Sequence, residues 1–291
     1  MNILIAGCGY VGTALGVRLA ADGHGVWGLR RRPEGLPDTV RPLAADLSEP
    51  VTLRSLPPGL DVVYFTAGAA DGSEAAYRTA YVDGPRHLLE ALRQQGQRPR
   101  RVVFTSSTGV YAQRSGEWVD EDSPTEPSHA GGRHLLAGER LFLDGAFPAT
   151  VLRLAGIYGP GRTRLIDNLR QGNATYQDSP AVYLNLIHLD DCVGALRHLA
   201  ALARPASLYV GVDYQPVERG TLLRWLSGVL NTPPPRLVAA AAKRRSNKRC
   251  RNARLLASGY SFIHPTFQHG YGAILDALNK AEQGDKAPCL R

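Results

Sequence analysis

NILIAGCGYVG, residues 2–12, decides the fold. Ile3, Leu4, Ile5 and Ala6 are apolar without alternation, the pattern of a strand buried on both faces. The run enters Gly7-Cys8-Gly9-Tyr10-Val11-Gly12, and from Val11 a helical spacing continues to residue 21. A GxGxxG alone is a weak signal. Between a strand and a helix, at the start of a βαβ unit, it is the arrangement that holds a dinucleotide. Gly7 permits the tight turn, Gly9 lets the backbone approach a pyrophosphate, and Gly12 lets helix and strand pack closely. The N–H groups of the helix start, at Tyr10 and Val11, face the anion. The second strand, 25–29, ends in Leu29-Arg30-Arg31-Arg32, with no acid before Glu34. An acid there would accept the ribose 2′-OH, whereas arginine suits a 2′-phosphate. NADP is therefore the favoured cofactor, with NAD admitted, and Arg30 and Arg31 are its expected contacts. The bland alternative is a solvated arginine turn.

Working outward, β-rich runs at 2–6, 25–29, 43–45, 61–66, 101–105 and 150–154 alternate with helical patterns at 11–21, 75–94 and 132–143. The alternation predicts an α/β fold, a doubly wound parallel sheet. After Tyr158 the rhythm breaks into loops and returns as a strand at 182–187, a helix at 190–203, a strand at 208–210 and a helix at 217–230. Residues 1–155, completed by about 182–210, are expected to form the dinucleotide domain, with 156–181 and 211–291 a smaller substrate-binding part. No run approaches the ~20 apolar residues of a membrane span, and no signal peptide pattern opens the chain, so a cytoplasmic location and no membrane partner are expected. Cys8, Cys192, Cys250 and Cys289 are scattered, so neither a metal site nor a disulfide framework is expected. The net charge of +8 gathers at Lys243, Arg244, Arg245, Lys248, Arg249, Arg251 and Arg254. That segment reads as a solvated basic surface or a contact for an anionic small molecule. No aromatic residue interleaves it, and no nucleic-acid partner is expected.

Further motifs fall in a fixed order. They are Asp46-Leu47 after strand three, Phe65-Thr66-Ala67-Gly68 after strand four, and Thr105-Ser106-Ser107-Thr108-Gly109-Val110-Tyr111 on strand five. Arg153-Leu154-Ala155-Gly156-Ile157-Tyr158-Gly159-Pro160-Gly161 and Asn185-Leu186-Ile187-His188-Leu189-Asp190-Asp191 follow. Together with the glycine loop they resemble the extended short-chain dehydrogenase/reductase family, also called the NAD-dependent epimerase/dehydratase family. The resemblance implies a Rossmann domain with a smaller C-terminal substrate domain. It implies that Asp46 and Leu47 contact adenine, that Ala67 and Gly68 lie beneath the cofactor, and that Ser107 is the catalytic hydroxyl beside the substrate oxygen. A small polar substrate, sugar-nucleotide-like by family prior, is implied as partner, and a homodimer is left open.

The same resemblance exposes a gap. The family's catalytic Tyr sits four residues after a proline and eight before a helix glutamate; Pro127 and Glu139 both point to Gly131, and the Lys position is then Leu135. No Tyr-x-x-x-Lys can exist before residue 243, since Lys243 is the first lysine of the chain. Tyr81 replaces the Asn that supports the relay, and Thr108-Gly109 replace the Asp-Glu of sugar-nucleotide dehydratases. The chain thus resembles an atypical branch. Losing a positioned acid/base costs typically ~10²–10⁴-fold in rate. His134 is the candidate substitute, with His129 and Tyr111 behind it. Gly131 and Gly132 are expected to leave open space above the nicotinamide. The function expected is NAD(P)-dependent redox or epimerase chemistry by a non-standard acid/base. The rival is a catalytically silent NADP(H)-binding sensor or scaffold.

Overall fold

A computed structural model describes residues 1–239 and 246–284. Strand β1 (Asn2–Ala6) pairs in parallel with β2 (Gly25–Arg30) on one side and β4 (Val62–Phe65) on the other, with Ile5 opposite both Gly28 and Tyr64. Strand β3 (Arg41–Ala44) forms one edge beside β2. Beyond β4 lie β5 (Arg101–Ser107), β7 (Ala149–Leu154) and β12 (Leu208–Gly211), giving a seven-stranded parallel sheet in the order β12-β7-β5-β4-β1-β2-β3. Alternate residues of β1 serve opposite layers. Ile3 and Ile5 join Leu15, Leu19, Leu196 and Leu199 from α1 (Tyr10–Ala21) and α6 (Leu189–Ala201), while Leu4 joins Leu88, Leu92 and Phe142 from α3 (Gly84–Gln94) and α4 (Ala130–Leu143). Each fully buried aliphatic side chain contributes about 1.5–3 kcal/mol. A continuous apolar strand is what a sheet covered on both faces demands. The fold is the doubly wound Rossmann architecture that the alternation predicts.

Several boundaries differ from the sequence reading, each for a local reason. Strand β3 begins at Arg41 and includes Pro42; an edge strand tolerates the missing N–H. The helix expected at 75–94 is α2 (Glu74–Arg78), a π-helical turn at Thr79–Asp83, and α3. Gly84 N–H donates to Thr79 O, five residues back, and the next residue, Pro85, has no N–H to offer Tyr81. The strand expected at 182–187 is broken into β10 (Tyr183–Leu184) and β11 (Leu186–His188), which pair with β13 (Val217–Glu218) and β8 (Gly156–Tyr158). Asn185 sits at the break. It donates to Lys248 O at 2.9 Å, accepts from Cys250 N at 2.6 Å, and its carbonyl accepts from Gly156 N at 2.9 Å.

A third apolar cluster gathers Tyr158, Ile166, Leu222, Leu226, Phe267, Tyr271 and Ile274. Its helices are α5 (Arg164–Arg170), α7 (Arg219–Leu230) and α9 (Phe267–Gly284). Two short parallel pairs complete the chain: β9 (Thr175–Tyr176) with β14 (Arg236–Leu237), and β6 (Glu117–Val119) with β15 (Lys248–Cys250), the latter followed by α8 (Ala253–Ala257). Among the described residues no helix is long and apolar enough to cross a membrane.

Lys243, Arg244 and Arg245 lie outside the described residues, as does Cys289. The rest of the basic segment is not a freely solvated run. Arg249 stacks over Trp118 and Tyr183, Arg251 over Trp118, and Arg254 pairs with Asp122 at 2.7 Å. The aromatic partners are absent locally in the sequence and arrive from elsewhere in the fold.

Candidate cofactor and active site

Each glycine of the phosphate loop meets a different demand. Gly7 has φ +91°, and a Cβ there would stand 2.3 Å from the Ala67 backbone. Thr66 Oγ1 donates to Gly7 O at 2.9 Å and pins the turn. A Cβ at Gly12 would lie 2.7 Å from Thr66 Oγ1 and 2.8 Å from Gly7 O, so helix and strand touch there. At Gly9 a Cβ would meet nothing nearer than Gly7 O at 4.0 Å. That open side borders the start of α1, where no side chain caps the first N–H groups.

A cavity of about 650 Å³ opens there, within the range of small-molecule sites. Its lining includes Gly7, Gly9, Tyr10, Val11, Arg30, Arg31, Asp46, Leu47, Ala67, Gly68 and Ser107. Gly12 lies in the contact beneath the loop rather than in the wall. At the β2–β3 end, Arg30 Nη2 donates to Glu34 O, while its Nε is buried with no hydrogen-bond partner. An orphaned guanidinium N–H at this end fits an anionic occupant. Burial raises the Asp46 carboxyl, but hydrogen bonds from Ser48 and the Arg31 charge outweigh it and hold the group below the usual carboxylate range. The donor set and the space at Gly9 fit a nicotinamide dinucleotide.

At the other end, Ser106 and Ser107 divide their work because successive strand residues face opposite ways. Ser106 is buried and donates to Glu139 Oε1 at 2.6 Å. Glu139 also accepts from Arg153 Nε at 2.9 Å and Nη2 at 2.7 Å, and Arg153 Nη1 donates to Tyr111 OH at 2.9 Å. Ser107 faces the cavity, its Oγ accepting from Gly109 N at 3.0 Å. That leaves its O–H for another oxygen.

The substitute acids named from the sequence do not gather here. Tyr111 is 1% exposed and donates to Asp120 O at 2.6 Å; burial pushes its phenol up to about 12. His129 caps α4: Nδ1 accepts from Gly132 N at 3.0 Å and Nε2 lies 3.3 Å from Gly109 O. His134 is not in the cavity wall; its Nε2 lies 3.4 Å from Glu74 Oε1, between α4 and α2. The open space expected at Gly131 and Gly132 is filled. A Cβ at Gly131 would stand 2.7 Å from the Tyr77 ring, and one at Gly132 2.4 Å from Pro127 Cβ. Leu135 is 3% exposed in the core. Tyr81, on the π-helical turn, does line the cavity, and its hydroxyl lies 3.8 Å from where a Gly68 Cβ would be. Its exposure to the cleft had no sequence signal beyond its place in the Asn motif.

A loop at 159–162 closes the rim. Tyr10 OH donates to Pro160 O at 2.8 Å, and the Arg162 guanidinium lies 4.1 Å from the centre of the Tyr10 ring. Outside the cavity, His188, Asp190 and His264 bring potential ligand atoms within 4.8 Å of one another, a grouping that the sequence reading did not anticipate. His264 lies 74 residues beyond Asp190, and the three already hold one another, with His188 Nδ1 accepting from Asp190 N at 3.2 Å.

A family model described as the NAD dependent epimerase/dehydratase family matches residues 3–211. Protein YeeZ of Escherichia coli (strain K12) is 30% identical over 246 residues, covering 80% of this chain and 85% of that protein. D-erythronate dehydrogenase of Cupriavidus necator is 33% identical over 181 residues, 54% of this chain and 55% of the relative, so the match spans about half of that protein. A solved structure from Methylobacillus flagellatus, named for an NAD-dependent epimerase/dehydratase, is 37% identical, covers 96% of this chain and 98% of its own, and superposes with a TM-score of 0.77. The family match runs from β1 to the end of β12, through every strand of the sheet. The chain belongs to the NAD-dependent epimerase/dehydratase family.

Proposed function

We propose that the protein is an NADP(H)-dependent oxidoreductase acting on a small polar substrate, without the Tyr/Lys pair of its family. The observation that carries this reading is one cavity with Arg30 and Arg31 at one end and Ser107 at the other. Bound there, NADP(H) supplies hydride chemistry. The chain's own residues divide the remaining tasks. The free N–H groups of α1 hold the diphosphate, and Arg30 and Arg31 meet the 2′-phosphate. Asp46, kept ionised, and Leu47 bound the adenine end, while Ala67 and Gly68 form the floor. Ser107 donates its hydroxyl hydrogen to the substrate oxygen. The proton exchanged with solvent travels through water or the Tyr81 phenol, since Gly131 and Leu135 carry no acid. We further assign the cluster built on α5, α7 and α9 as the substrate-side wall, a small molecule rather than nucleic acid as the partner, and the cytoplasm as the place of action.

Titration calorimetry with NADPH and NADH, followed by NADPH absorbance against a panel of hydroxy and oxo compounds, tests the reading. Tighter NADPH binding and substrate-dependent oxidation that Ser107→Ala lowers by 10²-fold or more are expected. Equal affinity for the two cofactors would remove the NADP assignment. The packed positions Gly131 and Leu135 favour one rival: an NADP(H) sensor that binds without turnover. Cofactor-dependent association with a protein partner, and no oxidation by any substrate, would decide for it.

A further inference from the structure

Among the residues lining the cavity, three are cationic: Arg30 and Arg31 at the end of β2, and Arg162 on the rim loop. The first two meet the 2′-phosphate in the reading above, and the third has no task in it. Its placement is nevertheless fixed from both sides. Arg162 N–H donates to Gly159 O at 3.0 Å across a tight turn, which Gly161 completes with φ +76°. A Cβ at Gly159 would stand 2.9 Å from Tyr10 OH, so only glycine lets this loop close on that ring. Arg162 Nη1 donates to Ile157 O at 3.2 Å, and the guanidinium lies 4.1 Å from the centre of the Tyr10 ring. Tyr10 and Ile157 both line the cavity, so the guanidinium is held between two points of its wall. Stacking on an aromatic face orients the planar fork. Among the described residues Arg162 forms no ion pair, and its Nε and Nη2 have no acceptor.

The neighbour on which it stacks says what it can reach. Tyr10 is the first residue of α1, and its own N–H is one of the uncapped donors at the helix start. The guanidinium therefore stands one side chain away from the place where those donors meet an anion. A dinucleotide diphosphate carries two negative charges. The start of α1, with no charged side chain in its first turn, offers the equivalent of about half an elementary charge. A full positive charge with free forked donors beside it supplies what the helix start lacks.

We propose that Arg162 clamps the diphosphate of the bound dinucleotide, adding its guanidinium to the N–H groups of α1. This rests on the cleft being the cofactor site argued above. The diphosphate is common to NADPH and NADH, so the clamp supports both by the same factor. That separates it from Arg30 and Arg31, whose 2′-phosphate only NADPH carries.

The test is titration calorimetry on the full chain with NADPH, NADH and adenosine 2′-monophosphate, which carries the adenine and the 2′-phosphate but no diphosphate. Arg162→Met should weaken NADPH and NADH by the same factor, about 10–100-fold. Adenosine 2′-monophosphate should bind the variant and the parent alike, and Tm should hold because the residue is exposed. Arg162→Lys, which keeps the charge and loses the fork, should recover part of the affinity. Unchanged dinucleotide affinity in Arg162→Met overturns the proposal; a raised KM for substrate alone would then give the arginine to the substrate. Loss of adenosine 2′-monophosphate along with both dinucleotides overturns it as well, since the substitution would have deformed the whole cleft. A parent that binds neither dinucleotide would instead sink the reading of the cleft.

Discussion

A methyl group added at Gly9 meets nothing nearer than a carbonyl at 4.0 Å, while one added at Gly12 meets Thr66 Oγ1 at 2.7 Å and Gly7 O at 2.8 Å. The two positions should therefore fail differently. Gly9→Ala has room in the protein. Its Tm should stay within a few degrees of the parent, while NADPH affinity falls at least tenfold because the methyl enters the space proposed for the pyrophosphate. Gly12→Ala should cost about 1–3 kcal/mol of stability by overpacking, visible as a drop in Tm. Calorimetry and melting curves on the pair check both, and equal NADPH affinity in Gly9→Ala and the parent contradicts the assignment of the loop. Arg30 carries a buried Nε without a partner. A charge-assisted hydrogen bond is worth about 1.5–3 kcal/mol, so Arg30→Ala should weaken NADPH about 10–100-fold and leave NADH nearly unchanged.

Among the elements, α4 is where sequence and structure part most clearly. Its amphipathic pattern, its glutamate and the two places, Gly131 and Leu135, where the family resemblance expects a Tyr and a Lys are all legible along the chain. Its first turn is not, because the neighbour that fills it, Tyr77, belongs to α2, more than fifty residues earlier. Spacing along one helix says which positions share a face, but not which other element has grown into the gap. Gly131→Ala should accordingly cost about 1–3 kcal/mol. The double variant with Tyr77→Ala should be no less stable than Tyr77→Ala alone, since the two share one contact. Strict additivity in denaturant melts would show that they do not. Restoring the family's pair by Gly131→Tyr with Leu135→Lys should yield an unstable protein, because the phenol meets the Tyr77 ring and the ammonium enters the core. The π-helical turn was not anticipated, since 75–94 reads as one continuous helical pattern. Pro85 lacks the N–H that Tyr81 O would accept, but nothing local says that Thr79 would take the bond from Gly84 instead. The basic run conceals a different distinction. Lys248 and Arg249 look alike in sequence, and only pairing of β15 with β6 sends one inward and the other onto Trp118.

For the whole molecule, the parallel sheet and its two covered faces followed from the alternation of patterns, while the order of the strands and the buried carboxylates at the end of the sheet did not. Asp213, just past β12, is 2% exposed; its Oδ1 accepts from Gln215 N at 3.1 Å and its Oδ2 has no partner. Burial, with the nearby Asp191 charge, pushes its carboxyl up to about 8 against an ordinary 3.8. The folded protein then binds a proton that the unfolded chain releases. The stability this contributes is complete below pH about 4 and is lost as pH rises through about 8. Asp213→Asn should flatten that decline and melt higher than the parent at pH 8; melting curves from pH 5 to 9 that coincide for the two proteins contradict it. The bond from Tyr10 to Pro160 has a consequence of its own. One partner belongs to the glycine loop and the other to the loop at the rim of the cleft, so with the cofactor and substrate placed as proposed, a shift in one is felt by the other. Thermodynamic reciprocity then requires that cofactor change the affinity for substrate by the same factor that substrate changes the affinity for cofactor. Tyr10→Phe keeps the ring under Arg162 but cuts the tether. In that variant the two ligands should bind as strangers, each at a strength indifferent to whether the other has arrived.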